Sequence, residues 1–402
     1  MPDNSHLYMK DKIQGAAWEM LPQLSSWRRH LHQHPELSFE EFQTMEFVAG
    51  QLDKLGIPYQ KGIAGTGIIA LIEGAQPGPC LALRADMDAL PISEKNEVPY
   101  CSKHEGRMHA CGHDAHTTCL LGAATILWQF KKHIKGTVKL IFQPGEEKSP
   151  GGASLMIQAG ALEQPKVDAI IGLHVYPEMP SGTLGFKSGQ YMASADEIHI
   201  RVVGKGGHAA LPHKTVDPIV IAANIIVQLQ QIISRRSNPL TPTVLSFGQV
   251  SGGHVNNVIP EEVWIRGTLR TFDESWRHEA LELIKRIATE NALIWGGNAE
   301  VHIPPGYPSL YNHEALNAQV RRYAEEYLGK ENVASLPLRM TAEDFAFYTL
   351  HVPACFFRLG TNAANEQYTY PVHHPNFDID EKALAIGTGA MAWSAINYLN
   401  EI

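Results

Sequence analysis

The sequence predicts an α/β protein built as a domain of helices around a mixed sheet, interrupted by a smaller βαββαβ sandwich. Short, continuously apolar runs bounded by Gly and Pro recur toward both ends of the chain, as strands buried on both faces do. Helical stretches lie between them, which is the layered α/β pattern. Between 190 and 303 the pattern changes to alternating strands and two amphipathic helices. A length of 402 residues also fits two domains of ~100–200 residues.

The chain opens helical. Apolar residues at helical spacing run through Trp18–His34 and stop at Pro35. Ser38-Phe39-Glu40-Glu41 reads as a capping box that opens a second helix through Leu55, ended by Gly56. Apolar strands follow at Gly67–Ile72, Cys80–Ala85, Thr137–Phe142, Ala169–Val175 and Ala354–Leu359, with a helix at Ala115–Phe130. Ala195–Val203 then alternates as a strand. Asp217–Arg236 is a helix with Pro218 in its first turn and Asn238-Pro239 past its end. Thr243–Val250 and Val263–Thr271 are strands, Glu274–Asn291 a helix and Ala299–Ile303 a last strand. That order is ferredoxin-like. The α/β signals resume after Pro304 with a helix near His313–Leu328, so residues 190–303 are expected as an insertion between 1–189 and 304–402.

Composition narrows the function. A hydrophobic fraction of 44% with 19% charged residues is globular, not disordered. The net charge of −9 argues against nucleic acid, whose phosphates need clustered Lys and Arg. No apolar run approaches the ~18 residues of a membrane span; the best, Ile219–Leu229, contains an Asn. Met1–Lys12 is polar, with no signal-peptide pattern, and the five cysteines are odd in number and scattered. A cytoplasmic chain is the expectation. The twenty histidines exceed ordinary usage.

Chemistry concentrates at a few places. His109-Ala110-Cys111-Gly112-His113-Asp114 precedes an apolar helix, and a Cys and a His two apart on a loop can face one point. Thiolate with imidazole suits a borderline transition metal, although a capped helix start would explain the same residues. Gln143-Pro144-Gly145-Glu146-Glu147 leaves an apolar strand. Neighbouring carboxylates on extended chain point opposite ways, so one can ligate while the other acts as base. Gly172-Leu173-His174 ends another strand, and ligands in α/β sheets gather at such ends. His373-His374-Pro375 is the fourth signal. His32, His34 and His116 read as structural or supporting.

These segments resemble the co-catalytic metallo-aminoacylase and carboxypeptidase family, in particular its amidohydrolase subfamily of hippurate hydrolases, N-acetyl-diaminopimelate deacetylases and auxin-conjugate hydrolases. The likeness extends through Arg28-Arg29-His30-Leu31-His32, Pro35-Glu36-Leu37-Ser38, Arg84-Ala85-Asp86-Met87-Asp88, Gly207-His208-Ala209-Ala210, Asn257-Val258-Ile259-Pro260, Gly267-Thr268-Leu269-Arg270 and Ala342-Glu343-Asp344-Phe345. It implies a zinc-peptidase-like catalytic domain with a lid and dimerisation insert. It further implies two divalent transition-metal ions per subunit (Zn, Mn, Co or Ni), held by Cys111, His113, Glu147, His174 and His373, with Cys111 bridging. Asp88 would orient a ligand, and Glu146 would be the general base on the metal-activated water. His208 would donate to the oxyanion, while Arg270 and Asn257 would hold the substrate carboxylate. The implied reaction is hydrolysis of N-acyl amino acids, small-molecule substrates with acetyl, benzoyl or similar acyl groups. A dipeptidase or carboxypeptidase using the same site, or a non-catalytic metal binder, is the alternative. In the family the insert forms a two-fold homodimer through the region equivalent to 190–303, and its His serves the partner's site.

Overall fold

The computed structural model describes residues 4–363 and 370–401. The chain divides into two compact units. The first takes Met1–Gly189, Tyr311–Pro337 and Phe347–Ile402; the second takes Gln190–Leu310 and Leu338–Ala346. The return to the first unit thus comes later than the expected 304. Tyr307 and Ala195 exchange backbone hydrogen bonds of 3.0 and 2.9 Å, and Ser309 N–H donates to Glu274 Oε1 at 2.6 Å. Residues 338–346 also belong to the second unit. Ala193 N–H donates to Arg339 O and Arg339 N–H to Tyr191 O, each at 3.0 Å.

The first unit is an eight-stranded sheet in the order Tyr59–Ile63, Gly67–Glu73, Lys135–Gln143, Gln76–Asp86, Ala169–Pro180, Ala354–Asn362, Leu184–Phe186, Val333–Ser335. The four central strands run parallel. Their nearly unbroken burial matches their apolar sequences, since helices cover a parallel sheet. His113–Phe130 and Lys382–Glu401 pack on one another with almost every residue buried. The edge strands Tyr59–Ile63 and Val333–Ser335, and Leu184–Phe186 beside the second of them, are too short to show a period in the sequence.

The N-terminal helical region differs from its sequence reading. It holds Asn4–Glu19 and Leu21–Gln33, broken where Pro22 enters the first turn of the second helix. The next helix begins at Phe42, not Ser38. Glu36 caps it, its carboxylate accepting Gln43 N–H (3.1 Å) and Thr44 N–H (2.9 Å). The expected capping box is therefore absent, because Ser38 and Glu41 have distant partners.

The second unit carries a four-stranded antiparallel sheet ordered Thr243–Ser251, Glu262–Thr271, Asp196–Val203, Asn298–His302, with the helices Pro218–Gln231 and Glu274–Ile294. Numbered along the chain this is 2-3-1-4, the ferredoxin-like order. Asp217 caps the first helix through Ile219 N–H (2.9 Å), and a π-turn, Ile232–Arg236, extends it. Among the described residues this stretch, Pro218–Arg236, is long and apolar enough to cross a bilayer by length and composition. Its periodicity is amphipathic: Ile221, Ala222, Ile225, Leu229 and Ile232 enter the unit's core, while Asn224, Gln228 and Gln231 do not.

Candidate metal centre

Parallel strands present their C-terminal ends on one side of a sheet, where ligands collect. Asp86 ends one strand and leads to Asp88. Gln143 ends the next and leads to Glu146 and Glu147, and the helix His113–Phe130 starts beside them. His174 lies within its strand, which runs on to Pro180. Gly112 makes the turn into the helix. It adopts φ +84°, and an added Cβ would come 2.5 Å from Val175 Cγ2.

Cys111 is the meeting point. Its Sγ lies 3.4 Å from His174 Nε2 and 3.3 Å from His373 Nε2. Two sets of side chains close enough to share an ion meet at it: Cys111, His113 and His174, and Cys111, Glu147 and His373. A third set, His113 with Glu146 and Glu147, includes both carboxylates. Thus Cys111, His113, Glu146, Glu147, His174 and His373 are all brought together.

The donor atoms face inward for physical reasons. His174 Nδ1 donates to Val175 O at 2.7 Å, which leaves the Nε2 lone pair toward Cys111, and burial keeps the ring neutral. His113 Nδ1 donates to Asp88 Oδ1 at 3.2 Å. Its Nε2 is buried without a hydrogen bond, as is Glu147 Oε1 4.0 Å away. An imidazole nitrogen and a carboxylate oxygen, both able to offer a lone pair and neither hydrogen-bonded, in a buried cluster with a thiol fit a transition-metal ion. Burial pulls the His113 pKa down, but Asp86, Asp88 and Glu147 outweigh it and lift it to about 10. Burial first, then Glu147 and Glu146, pushes the Cys111 thiol well above its ordinary value. A dication would reverse both by displacing the protons.

Asp88 is the organiser. It accepts His113 Nδ1–H, Glu146 N–H and Glu147 N–H (3.0 Å each for the amides) and Ser38 Oγ–H (2.6 Å). Burial opposes its charge, but His113 and Ser38 outweigh that and hold the carboxyl below its usual range. His116 is close but committed elsewhere. Its Nδ1 meets Asp86 at 2.6 Å and its Nε2 accepts Val175 N–H at 2.9 Å, so it supports the strand beside His174.

The backbone sends the two rings of the His373-His374 pair to different places. His373 takes φ +67°, unusual for a non-glycine residue, and its N–H donates to Ala110 O at 2.7 Å. That conformation turns its ring to Cys111 and brings Nε2 3.2 Å from Glu147 Oε1. His374 instead accepts Asn376 N–H and stacks on Tyr370. Lys95 N–H and Asn96 Nδ2 hold the same segment through Pro375 O and Phe377 O, each at 2.9 Å.

Beneath the site lies a buried charge network that sequence reasoning missed. Arg28 meets Asp114 (2.8 Å) and Asp378 (2.9 Å), and His32 joins Asp114 (2.7 Å) to Glu94 (3.1 Å). The sequence held one clue, Arg and His four apart on a helix that is otherwise amphipathic.

The remaining expected residues lie in the second unit. His208 is exposed on a two-residue ribbon paired with Val258, next to Asn257, whose carbonyl accepts Ala209 N–H at 3.0 Å. Its Nδ1 accepts Ala210 N–H at 3.1 Å, so the ring hydrogen is on Nε2 and free to donate. Arg270 is half-buried in its strand, and its Nε touches Thr268 Oγ1 at 3.3 Å. It makes no ion pair among the described residues. Burial lowers its pKa, with Asp196 and Glu197 opposing.

Residues 82–395 match the model of the peptidase family M20/M25/M40. The chain belongs to this family. An N-acetyl-L-cysteine deacetylase of Bacillus subtilis is 44% identical over 362 residues, 90% of this chain and 85% of that one. Thermostable carboxypeptidase 1 of Saccharolobus solfataricus is 36% identical over 394 residues, 97% of this chain and 99% of that one. Among solved structures, the YXEP protein of Bacillus subtilis, a dinuclear metal binding peptidase, superposes with TM-score 0.80 at 37% identity, covering 96% of this chain and 99% of that one. This family member is accordingly a metal-dependent amidohydrolase.

Proposed function

We propose that this enzyme hydrolyses the amide bond of N-acyl-L-amino acids at a two-metal centre. The observation that carries the reading is Cys111, common to two ligand sets, with Glu146 and Glu147 anchored by the Asp88 carboxylate that also holds His113. Cys111, His113, Glu147, His174 and His373 would hold the metals, with Cys111 common to both ligand sets. Bound there, divalent ions supply Lewis acidity to the carbonyl and acidify water. The donor set suits Zn, Mn, Co or Ni.

Glu146 takes the proton of the attacking water and passes it to the leaving amine. His208 contributes its Nε2–H to the developing oxyanion. Arg270, whose guanidinium has no ion pair among the described residues, takes the free α-carboxylate bidentately, with Asn257 supporting that polar end. The enzyme works as a homodimer through the second unit, where Ile219, Val220 and Val227 are exposed on a helix and Thr243–Ser251 is an edge strand. Five free cysteines among the described residues favour a reducing cytoplasm.

The carboxypeptidase relative makes peptides the second substrate class to test. The test reloads chelator-stripped enzyme with each metal. It then compares acetate or benzoate release from N-acyl amino acids with amino-acid release from dipeptides. Turnover of acyl substrates is expected; turnover of peptides alone would overturn the acyl reading, and full activity without metal would overturn the mechanism.

A further inference from the structure

The connection between the helices Leu21–Gln33 and Phe42–Leu55 carries the Ser38–Glu41 segment that resembles a helix cap. Two of its side chains, Phe39 and Glu41, instead engage the loop that carries Glu146 and Glu147. Glu41 is fully buried. One carboxylate oxygen, Oε1, accepts Gly145 N–H at 2.8 Å and Phe39 N–H at 2.9 Å; Oε2 accepts the Thr66 hydroxyl at 2.5 Å. The amides of Glu146 and Glu147 go to Asp88. Three consecutive backbone amides, Gly145 to Glu147, are therefore each held by a buried side-chain carboxylate.

Phe39 completes the clamp. It has φ +67°, a conformation that persists in a non-glycine residue only where neighbours over-determine it. Here Glu41 fixes its N–H. Its ring lies against Gly145, where an added Cβ would come 2.3 Å from the ring. Gly145 itself sits at φ +58°, so the loop tolerates neither a side chain nor a loose neighbour at this position.

We propose that Glu41 is a positioning residue whose carboxylate fixes Gly145 and so aims Glu146 at the reacting water and Glu147 at the metal. The proposal rests on the roles given above to Glu146 and Glu147. A misplacement of ~1 Å costs on the order of 10² in rate.

The test uses full-length metal-loaded enzyme carrying Glu41→Ala, Glu41→Gln, Thr66→Val or Glu146→Gln. Glu41→Ala should lower kcat by roughly 10–100-fold with little change in KM. It should also lose metal at lower chelator concentration and alter the visible spectrum of the cobalt form. Glu41→Gln keeps an acceptor for Gly145, and the Thr66 hydroxyl can reverse to accept from its amide, so it should restore near-normal kcat and metal retention. Thr66→Val removes another hydrogen bond of the same carboxylate but leaves Gly145 held; it should lose stability and keep kcat. A folded Glu41→Ala with normal kcat and metal retention would overturn the proposal, as would a Thr66→Val loss equal to that of Glu41→Ala. If Glu41→Ala does not fold, Glu41→Asp, one methylene short of Gly145, replaces it with the same criteria. Should Glu146→Gln keep full kcat, the general-base assignment falls, while the positioning role is still decided by metal retention in the Glu41 variants.

Discussion

Replacing Asp114 by Asn tests the buried network under the metal centre. The side chain keeps its shape and loses the charge that faces Arg28 Nε at 2.8 Å and His32 Nδ1 at 2.7 Å. Breaking a buried ion pair by removing one partner costs about 3–5 kcal/mol. Arg28 retains Asp378 at 2.9 Å, so the lower end, ~3 kcal/mol, is expected. At ~2–4 °C per kcal/mol this is a fall of roughly 6–12 °C in Tm. Burial raises the Asp114 pKa, but Arg28 and His32 outweigh it and hold the carboxyl well below the usual range. The stabilisation is therefore complete above the unfolded value of about 4 and is lost as pH falls below it. Urea unfolding of metal-stripped wild type and variant should differ by ~3 kcal/mol at pH 7.5, and the gap should narrow below about pH 4; above that, the raised pKa of His32 beside Asp114 works in the opposite direction. A gap below ~1 kcal/mol at neutral pH, or one that does not narrow below about pH 4, would place the network in the class of weak exposed pairs.

Before a metal binds, His113 and the Cys111 thiol carry protons at pH 8, so uptake at Cys111, His113 and His174 should release about two. Affinity should then rise with pH, which calorimetry in buffers of different ionisation heat measures; no release would exclude that ligand pair. Glu146→Gln should keep its metal and lose on the order of 10²–10⁴ in kcat, whereas Glu147→Gln should bind metal weakly. Metal analysis showing the reverse would exchange the two roles. Arg270→Ala should impair acyl amino acids far more than their amides or esters, and equal losses would make Arg270 structural. Finally, mixing Glu146→Ala with His208→Ala should recover roughly a quarter of normal activity if His208 serves the partner's site, because about half of random dimers hold one intact site. No recovery despite proven subunit exchange would place His208 in its own chain's service.

The central strands were legible because burial on both faces leaves a continuous apolar run, as at Ala354–Phe357. The clustering of Cys111, His113 and His174 was legible for a related reason: each adjoins such a run or the helix that covers it. Capping failed as a signal because Ser-x-x-Glu is local chemistry, and Asp88, Gly145 and Thr66, far along the chain, compete for the same side chains. Residue types alone left His373 and His374 open. What separates them is a backbone angle imposed by Ala110 O, a contact with no sequence pattern. Arg28 and Asp114 likewise look like surface charges until the fold buries both.

The span between Cys111 and His373 also sets a schedule. The two are separated by 262 residues, which take roughly 13–50 s to synthesise at ~5–20 residues/s. During that interval a nascent chain can present Cys111, His113 and Glu147, but it has no His373 to close the second ligand set. Any ion captured then meets an incomplete ring of donors and can leave. With the proposed ligands, complete loading with two metals would wait for nearly the whole chain.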